Sequence, residues 1–565
     1  MSSNKILNQY LQIHNMSIED FQNLRDFTNY NHQSFEDAAD SIKFVETLCE
    51  HRNTRHVVID TDYDCDGVMS GVILEASLRR FGFNVSTYHP TEHDGYGLTL
   101  SESKRILKKF PDVSLIVTAD SGINCKEAID FLDTKDVKVL VSDHHPGTLE
   151  NYPDKALVCV DVNRIDKEDR YEFKHISGAQ TAHKLMMMYA ERYASLADVL
   201  YVSSLKLFAA ISVLSDVMLI EGENRELVKE LLDTFNSSKI DRMSMTNEYI
   251  YRLQDFVNRF GGQRITLETF GFAVIPTINS NRRMLGESNL AFEVFSDNAA
   301  VREKSINSLM RLNDLRKTVK KSARENEKIV AKSKYLTIGL VDVQQGILGL
   351  VASDYANRGQ CAALAFRMSK DDRMTASGRG YAGYSIKALL EKVKEKGPDL
   401  DLAFGGHSHA LGCSVAIDDF NRFCKIMEET SLEIFNDEMN TPEVAIDLPI
   451  ASLIRDFRCQ DEIKEVCQIL EDFQPMPHYL DNLKIRITDK KKNFSTVGFE
   501  SFGREYEHLK IDQPNLEILG FFDFTEFCHA DNDETFSMTI SLKVEKRQIK
   551  GIISKIMHID GYNKT

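Results

Sequence analysis

The chain has 565 residues, more than one hydrophobic core organises, so several domains are expected. Its 42% hydrophobic and 27% charged residues are the balance of a globular protein, and a net charge of −17 excludes a wholly basic surface that would bind nucleic acid by charge alone. Ten scattered cysteines with no CxxC pair point to reduced thiols in a cytoplasmic protein, and away from a disulfide framework or a zinc finger.

Residues 1–50 read as polar, mostly helical packing, with no apolar signal-peptide core. A rhythm then begins. Short apolar runs at Val57–Ile59, Val85–Tyr88, Leu115–Thr118, Val137–Val141 and Leu157–Val160 alternate with helical stretches such as Val68–Phe81. That alternation predicts an α/β domain with a largely parallel sheet over residues 51–290. Helices dominate from Ser177 to about Phe260. The most apolar stretch, Val199–Ile220, is interrupted by Lys206, Asp216 and several serines, so it reads as a buried helix and not a membrane span.

A connecting helix is expected within 291–334, running from about Ala299 to Lys332 with Ile306, Leu309, Met310 and Leu312 as its apolar stripe. A second α/β domain follows over 335–435. Alternating runs over 436–565 (LKIRIT and FSMTISLKV among them) predict a small antiparallel β-domain, read as a barrel.

The chemistry concentrates at predicted strand ends. Asp60 to Gly67 reads DTDYDCDG. In extended chain, residues two apart point the same way, so these carboxylates would converge, and converging carboxylates repel unless a cation binds them. Gly67 would permit a tight turn into the next helix. An EF-hand is excluded because no acidic residue stands at the loop's twelfth position. Asp120 ends the third strand in TADSGIN, and Asp143, His144 and His145 end the fourth in SDHHPG. Open α/β sheets bind ligands at such ends. An oxygen-rich set with imidazole and no thiolate favours Mn²⁺ or Mg²⁺, and the number of carboxylates suits two ions, the arrangement that cleaves phosphoesters. Asp216, the single acid in FAAISVLSDVMLI, is a further candidate, since an unpaired buried carboxylate is costly. The candidate catalytic groups are Asp120, Asp143 and His145. Three other segments suit phosphate or chain contacts: Ser377, Gly378 and Arg379 in ASGRGY, Gly405, Gly406 and His407 in FGGHSHALG, and Asn279, Arg282 and Arg283 in IPTINSNRRM.

In this order the segments resemble the DHH phosphoesterase superfamily and, within it, the RecJ single-strand exonucleases. DYDCDG, TADSGI, SDHH, SGAQTAHKL and SVLSDV resemble the motifs of the catalytic domain; QGILGLVAS, SGR and GGHSHALG resemble the DHH-associated domain; EHLKI and VEKRQIKG resemble, faintly, a closing oligonucleotide-binding barrel. The resemblance implies Asp62, Asp64, Asp66, Asp120, His144 and Asp216 as metal ligands, with Asp60 left out. It implies that His145 faces the scissile phosphate, and that Ser377, Arg379, Arg283 and His407 hold the strand near its 5′ end. The implied activity is 5′→3′ hydrolysis of single-stranded DNA to mononucleotides with two Mn²⁺ or Mg²⁺ ions, in repair, recombination or replication. The implied context is a monomer working with a helicase and a single-strand-binding protein, away from membranes. The arginine motif departs from the family's pattern, which leaves Arg282 and Arg283 as alternatives.

Overall fold

The computed structural model describes residues 4–26, 39–53, 56–91, 97–164, 173–261, 264–369, 372–406, 408–436, 439, 445–448, 456–472, 474–476, 483–490, 495–501, 504–513, 516–520, 531–545 and 548–558. Two compact units divide them. One comprises 31–218 and 230–442, and the other 1–30, 219–229 and 443–565.

The larger unit opens on five short strands, β1 (Val57–Thr61), β2 (Val85–Tyr88), β3 (Leu115–Ala119), β4 (Lys138–Asp143) and β5 (Val158–Asp161). They pair in the order β2-β1-β3-β4-β5, all parallel. β1 and β3 are buried at every position, as apolar, β-branched runs covered on both faces should be. Helices Cys65–Arg80, Leu100–Lys109 and Lys126–Asp133 make the crossovers. Helix Leu100–Lys109 starts on a capping box from Thr99 and Glu102, which satisfies two backbone donors that the helix leaves open. The apolar stretch near 200 is two helices, Leu196–Ser204 and Lys206–Ser215. Together, Leu196–Ser215 is long and apolar enough to cross a bilayer by length and composition, yet 61% of that window is buried inside the protein.

The helix from Ala299 ends at Glu325, short of the expected Lys332. Asn326 is its C-cap, with both its backbone N–H and its side-chain Nδ2 donating to Ser322 O (3.0 Å each). Lys328–Ser333 then forms β6, because β-branched Ile329 and Val330 suit an edge strand. With β7 (Leu336–Leu340), β8 (Ala362–Met368), β9 (Arg373–Arg379), β10 (Leu402–Gly406) and β11 (Ala410–Ala416) it makes a mixed sheet in the order β10-β11-β9-β8-β7-β6. Helix Gln345–Gly359 packs on this sheet, with Ile347, Leu348 and Val351 in a core shared with Met284 and Ala323.

The smaller unit holds seven strands, β12 (Ile446–Asp447) to β18 (Gln548–His558), with β13 as Lys484–Lys490 and β17 as Thr535–Glu545. With β14 (Ser495–Ser501), β15 (Arg504–Gln513) and β16 (Leu516–Gly520), their order is β12-β13-β17-β18-β16-β15-β14. The sheet is mixed and not purely antiparallel, since β12 runs parallel to β13 and β16 to β18. Its core takes in the chain's first helix, Lys5–Ile13: Ile6, Leu7, Tyr10 and Leu11 pack with Ile463, Val466, Ile485 and Phe536. Asn4 Nδ2 fastens that helix by donating to Glu462 O (3.0 Å) and Glu465 Oε2 (2.9 Å).

Candidate metal centre

In the five-stranded sheet the chain leaves β1 towards β2 on one side and continues from β3 to β4 and β5 on the other. The crevice at the carboxyl ends of β1 and β3 is therefore the switch point at which such sheets bind ligands. Asp62 follows β1, Asp120 follows β3, Asp143 ends β4 and Asp161 ends β5. The Asp62 N–H still donates to Ala119 O (3.1 Å), so the two leading aspartates stand on neighbouring strand ends.

The acidic stretch does not converge as extended chain. Asp60 lies within β1, buried between Tyr88 and Thr118 of the flanking strands. After Thr61 the chain turns. Asp64 becomes the N-cap of helix Cys65–Arg80, accepting from Asp66 N (2.9 Å) and Gly67 N (3.2 Å), and Asp66 lies in the first turn. Gly67 also differs from expectation: it is helical. A Cβ there would stand 2.3 Å from Asp62 O, so glycine is needed for the helix to pack on its own approach loop.

Asp66 reaches the N-terminus of a second helix, Gly178–Tyr193. It accepts from Gly178 N (2.9 Å), Ala179 N (2.9 Å) and Ser212 Oγ (2.5 Å). The positive end of that helix offsets the carboxylate's charge. Asp120 sits at φ 64°, a left-handed conformation that Asp tolerates better than most residues and that re-aims its side chain off the strand. Gly178 makes room for it, since a Cβ there would lie 2.4 Å from Asp120 Oδ1. Gly178→Ala is expected to displace Asp120, costing about 1–3 kcal/mol of overpacking and lowering divalent-ion affinity. Thermal melts and titration calorimetry check both; unchanged affinity would show that Asp120 needs no such space.

The two histidines are held differently. His144 Nδ1 bonds to Ile176 O (2.9 Å), which turns Nε2 towards Asp120 Oδ1 (3.1 Å), Asp66 Oδ2 (3.7 Å) and Asp216 Oδ2 (3.7 Å). His145 Nδ1 bonds to Asp143 Oδ1 (2.8 Å) and lies 3.8 Å from Asp120 Oδ1. Asp143 also accepts from the backbone N–H groups of Ile123, His144 and His145, so its carboxylate orients the histidine pair. Asp216 is the residue just past helix Lys206–Ser215, placed at its C-terminal end and not within it.

Three groups of donors converge closely enough to share an ion: Asp62, Asp64 and Asp120; Asp66, His144 and Asp216; and Asp120, His144 and His145. All six predicted ligands occur in these groups, and Asp60 occurs in none. Asp62 Oδ1, Asp120 Oδ1 and His144 Nε2 are buried with no hydrogen-bond partner among the described residues. Orphaned buried acceptors are costly, and divalent cations fit this oxygen-rich, thiolate-free set. Burial, then the Asp64 charge, pushes the Asp62 carboxyl up to about 7. Burial, then Asp66, does the same to Asp216, and raises Asp120 well above the carboxylate range. His145 is opposite in sign. Burial disfavours its charge, but the Asp143 bond and charge outweigh that and lift it to about 10.

Basic groups adjoin the acidic ones. The Arg282 guanidinium carbon lies 3.5 Å from the centroid of the Tyr63 ring, within the acidic stretch itself. Arg283 is fixed through its backbone. Gly346, in the first turn of helix Gln345–Gly359, packs against its backbone, where a Cβ would stand 2.6 Å from Arg283 O. Burial and then the charges of Arg316, Arg282 and Arg379 lower its pKa to about 10. Arg379 lies against the same helix, its Nη2 2.6 Å from where a Cβ on Gly349 would be. Along β9, Thr375, Ser377 and Arg379 share one half-buried face. Gly378 faces the opposite way, into the core, where a Cβ would meet Leu411, Ile386 and Leu364 at 2.9–3.0 Å, so its side-chain position serves packing. Asn279 precedes the Arg282–Arg283 turn with a buried Oδ1 that has no partner among the described residues. Gly406 ends β10 at φ 133°. His407 lies outside the described residues.

Sequence reasoning missed the supports. Ser177, Gly178 and Ser212 lie in the SGAQTAHKL and SVLSDV segments, but their grouping around Asp66, Ile176 behind His144 and the Arg282–Tyr63 contact carry no local signature. Asp161 was missed too. It pairs in register with Asp143, and burial, then that neighbour, raises it to about 8. An acid closing a fifth apolar strand was the available signal.

A crevice at the switch point of a parallel sheet, rimmed by carboxylates and a histidine pair, defines the class: residues 56–204 match the DHH family, N-terminal domain. Over most of its length the chain is similar to RecJ exonucleases. It is 26% identical over 415 residues to the single-stranded-DNA-specific exonuclease RecJ of Haemophilus influenzae, covering 70% of this chain and 69% of that one. Against the RecJ of Escherichia coli the identity is 25%, covering 77% and 75%. In fold it is similar to RecJ of Thermus thermophilus in complex with Mn²⁺, with a TM-score of 0.74 at 20% identity, covering 98% of this chain and 76% of that one.

Proposed function

We propose that the chain is a single-stranded-DNA-specific exonuclease that hydrolyses the strand from its 5′ end to mononucleotides, using two Mn²⁺ or Mg²⁺ ions. The observation that carries this is the sharing of Asp120 and His144 between neighbouring donor groups, which suits a pair of ions a few ångströms apart. The ions, when bound, supply the charge that activates water and stabilises the departing oxygen. Asp62 and Asp64 hold one position, Asp66, His144 and Asp216 the other, and Asp120 lies between. Asp143 keeps His145 oriented and cationic, fit to meet a phosphoryl oxygen or give its proton to the leaving 3′ oxygen. Ser377, Arg379, Arg283, Asn279, Gly406 and His407 are proposed to hold the strand, with Arg282 kept over Tyr63 beside the ions.

On this reading residues 51–290 form the catalytic domain, 291–334 the connector and 335–435 the associated domain, preceded by the helical segment 1–50. Residues 436–565 would serve as an oligonucleotide-binding barrel. The enzyme would act as a cytoplasmic monomer in DNA repair, recombination or replication, beside a helicase and a single-strand-binding protein. The test uses 5′-labelled and 3′-labelled single strands, with a duplex control, in Mn²⁺. Early release of the 5′ label as mononucleotide is expected. Cleavage confined to di- to pentanucleotides, or none with any divalent ion, would overturn the proposal.

A further inference from the structure

The helix Ala299–Glu325 is rich in charge, and most of its charged residues are solvated. Arg316 is different. Leu312 and Val319, one turn to either side, pack into the core formed by Met284, Ile347 and Val351. A residue four after one and three before the other shares their face. Arg316 therefore looks towards the Ser280–Leu285 helix that carries Arg283 and the Gln345–Gly359 helix that lies against Arg379.

Its direction is set by buried polar groups. Arg316 Nε donates to Asn313 Oδ1 (3.0 Å), and Asn313 Nδ2 donates to Thr277 Oγ1 (3.0 Å). Asn313 and Thr277 are 4% and 0% exposed, so this chain of bonds is fixed within the protein. Arg316 is one of the charges that bear on Arg283, with Arg282 and Arg379. None of these four arginines forms an ion pair among the described residues. Asp64 bears on Arg283 as well, but four gathered guanidiniums with no ion pair among the described residues leave donors to be satisfied by an anion from outside, and the planar guanidinium fork matches phosphate.

We propose that Arg316 is a strand-binding residue: the connecting helix supplies it, through the Asn313–Thr277 bonds, to contact a backbone phosphate of single-stranded DNA beside Arg283 and Arg379. This rests on the reading of the chain as a single-strand exonuclease, but its test separates the two. Strand affinity is measured by fluorescence anisotropy across a salt series, using full-length protein in a cleavage-dead Asp120→Asn background. Arg316→Gln is expected to weaken binding about tenfold and reduce the slope of log affinity against log salt by about one phosphate contact. In the active protein it should raise KM with kcat held within about twofold. Arg316→Lys should restore the slope but only part of the affinity, since a point charge replaces the fork. Lys317→Gln, at an exposed neighbour, should change neither. Melting curves identify any variant that is misfolded, and Arg316→Lys then carries the comparison with wild type.

Unchanged affinity and slope in a folded Arg316→Gln would overturn the assignment while leaving the exonuclease reading intact. A strand that binds with the expected Arg316 dependence but is never cut would overturn the exonuclease reading alone. No strand binding by the unsubstituted protein would overturn both.

Discussion

Asp120→Asn is expected to reduce cleavage by at least about a thousandfold while leaving the fold and strand binding in place. Asparagine is the informative replacement. Position 120 has φ 64°, where Asn is tolerated about as well as Asp but alanine would be strained. The amide keeps the volume that Gly178 accommodates. It removes the negative charge that two donor groups share, so neither ion keeps its full set of ligands. Removing Asp64 should cost less, because that carboxylate also caps its helix and part of the loss would appear as stability. Single-turnover cleavage and a melting curve separate the two effects. Near-normal turnover of Asp120→Asn with Mn²⁺ would mean that Asp120 does not join the two ion positions.

The second large effect is a change in the sign of the pH response when cations are added. Asp62 and Asp216 have carboxyls pushed from 3.8 to about 7 in the metal-free fold. Each holds its proton longer when folded than when unfolded. Their contribution to stability is therefore complete below pH 4 and is lost as pH rises to 7. At roughly 1.4 kcal/mol per pH unit, Asp62 alone accounts for a loss on the order of 4 kcal/mol. Divalent cations reverse this, because they favour the ionised carboxylates and must displace any protons below pH 7. Addition of Mn²⁺ should thus raise the melting temperature far more at pH 8 than at pH 5. A shift equal at both values, or larger at pH 5, would show that these carboxyls do not bind the cation.

The acidic rim was legible because its elements announce themselves. Apolar runs of four or five residues with an acid at each end read as strands of a parallel sheet, and strand ends are where such sheets bind. What escaped was everything held by distant partners. Asp66 depends on a helix N-terminus 112 residues later, and no pattern around Asp66 points to it. The reason for Gly67 was also hidden, since close packing of a helix on its own approach loop leaves no trace in composition. Arg316 sits in the charge-rich part of the connecting helix, past the apolar stripe of Ile306, Leu309, Met310 and Leu312. Only the packing of Leu312 and Val319 shows that its face is covered. The end of that helix was overestimated because charged residues suit helix and edge strand alike, while β-branched Ile329 and Val330 favour the strand.

The helix Lys5–Ile13 shares its core with strands more than 470 residues further on. This has a consequence in time. The helix is synthesised far ahead of Ile485, Ile487, Phe536 and Met538, which share its core. Until Ile446 and the residues after it emerge, Ile6, Leu7, Tyr10 and Leu11 have only Phe21 among the other buried residues of that core to pack against. At roughly 5–20 residues per second that wait lasts tens of seconds. The larger unit has all its strands and the converging carboxylates and histidines well before then. Its folding can therefore finish first, and the smaller unit closes as a later step that joins segments far apart in sequence.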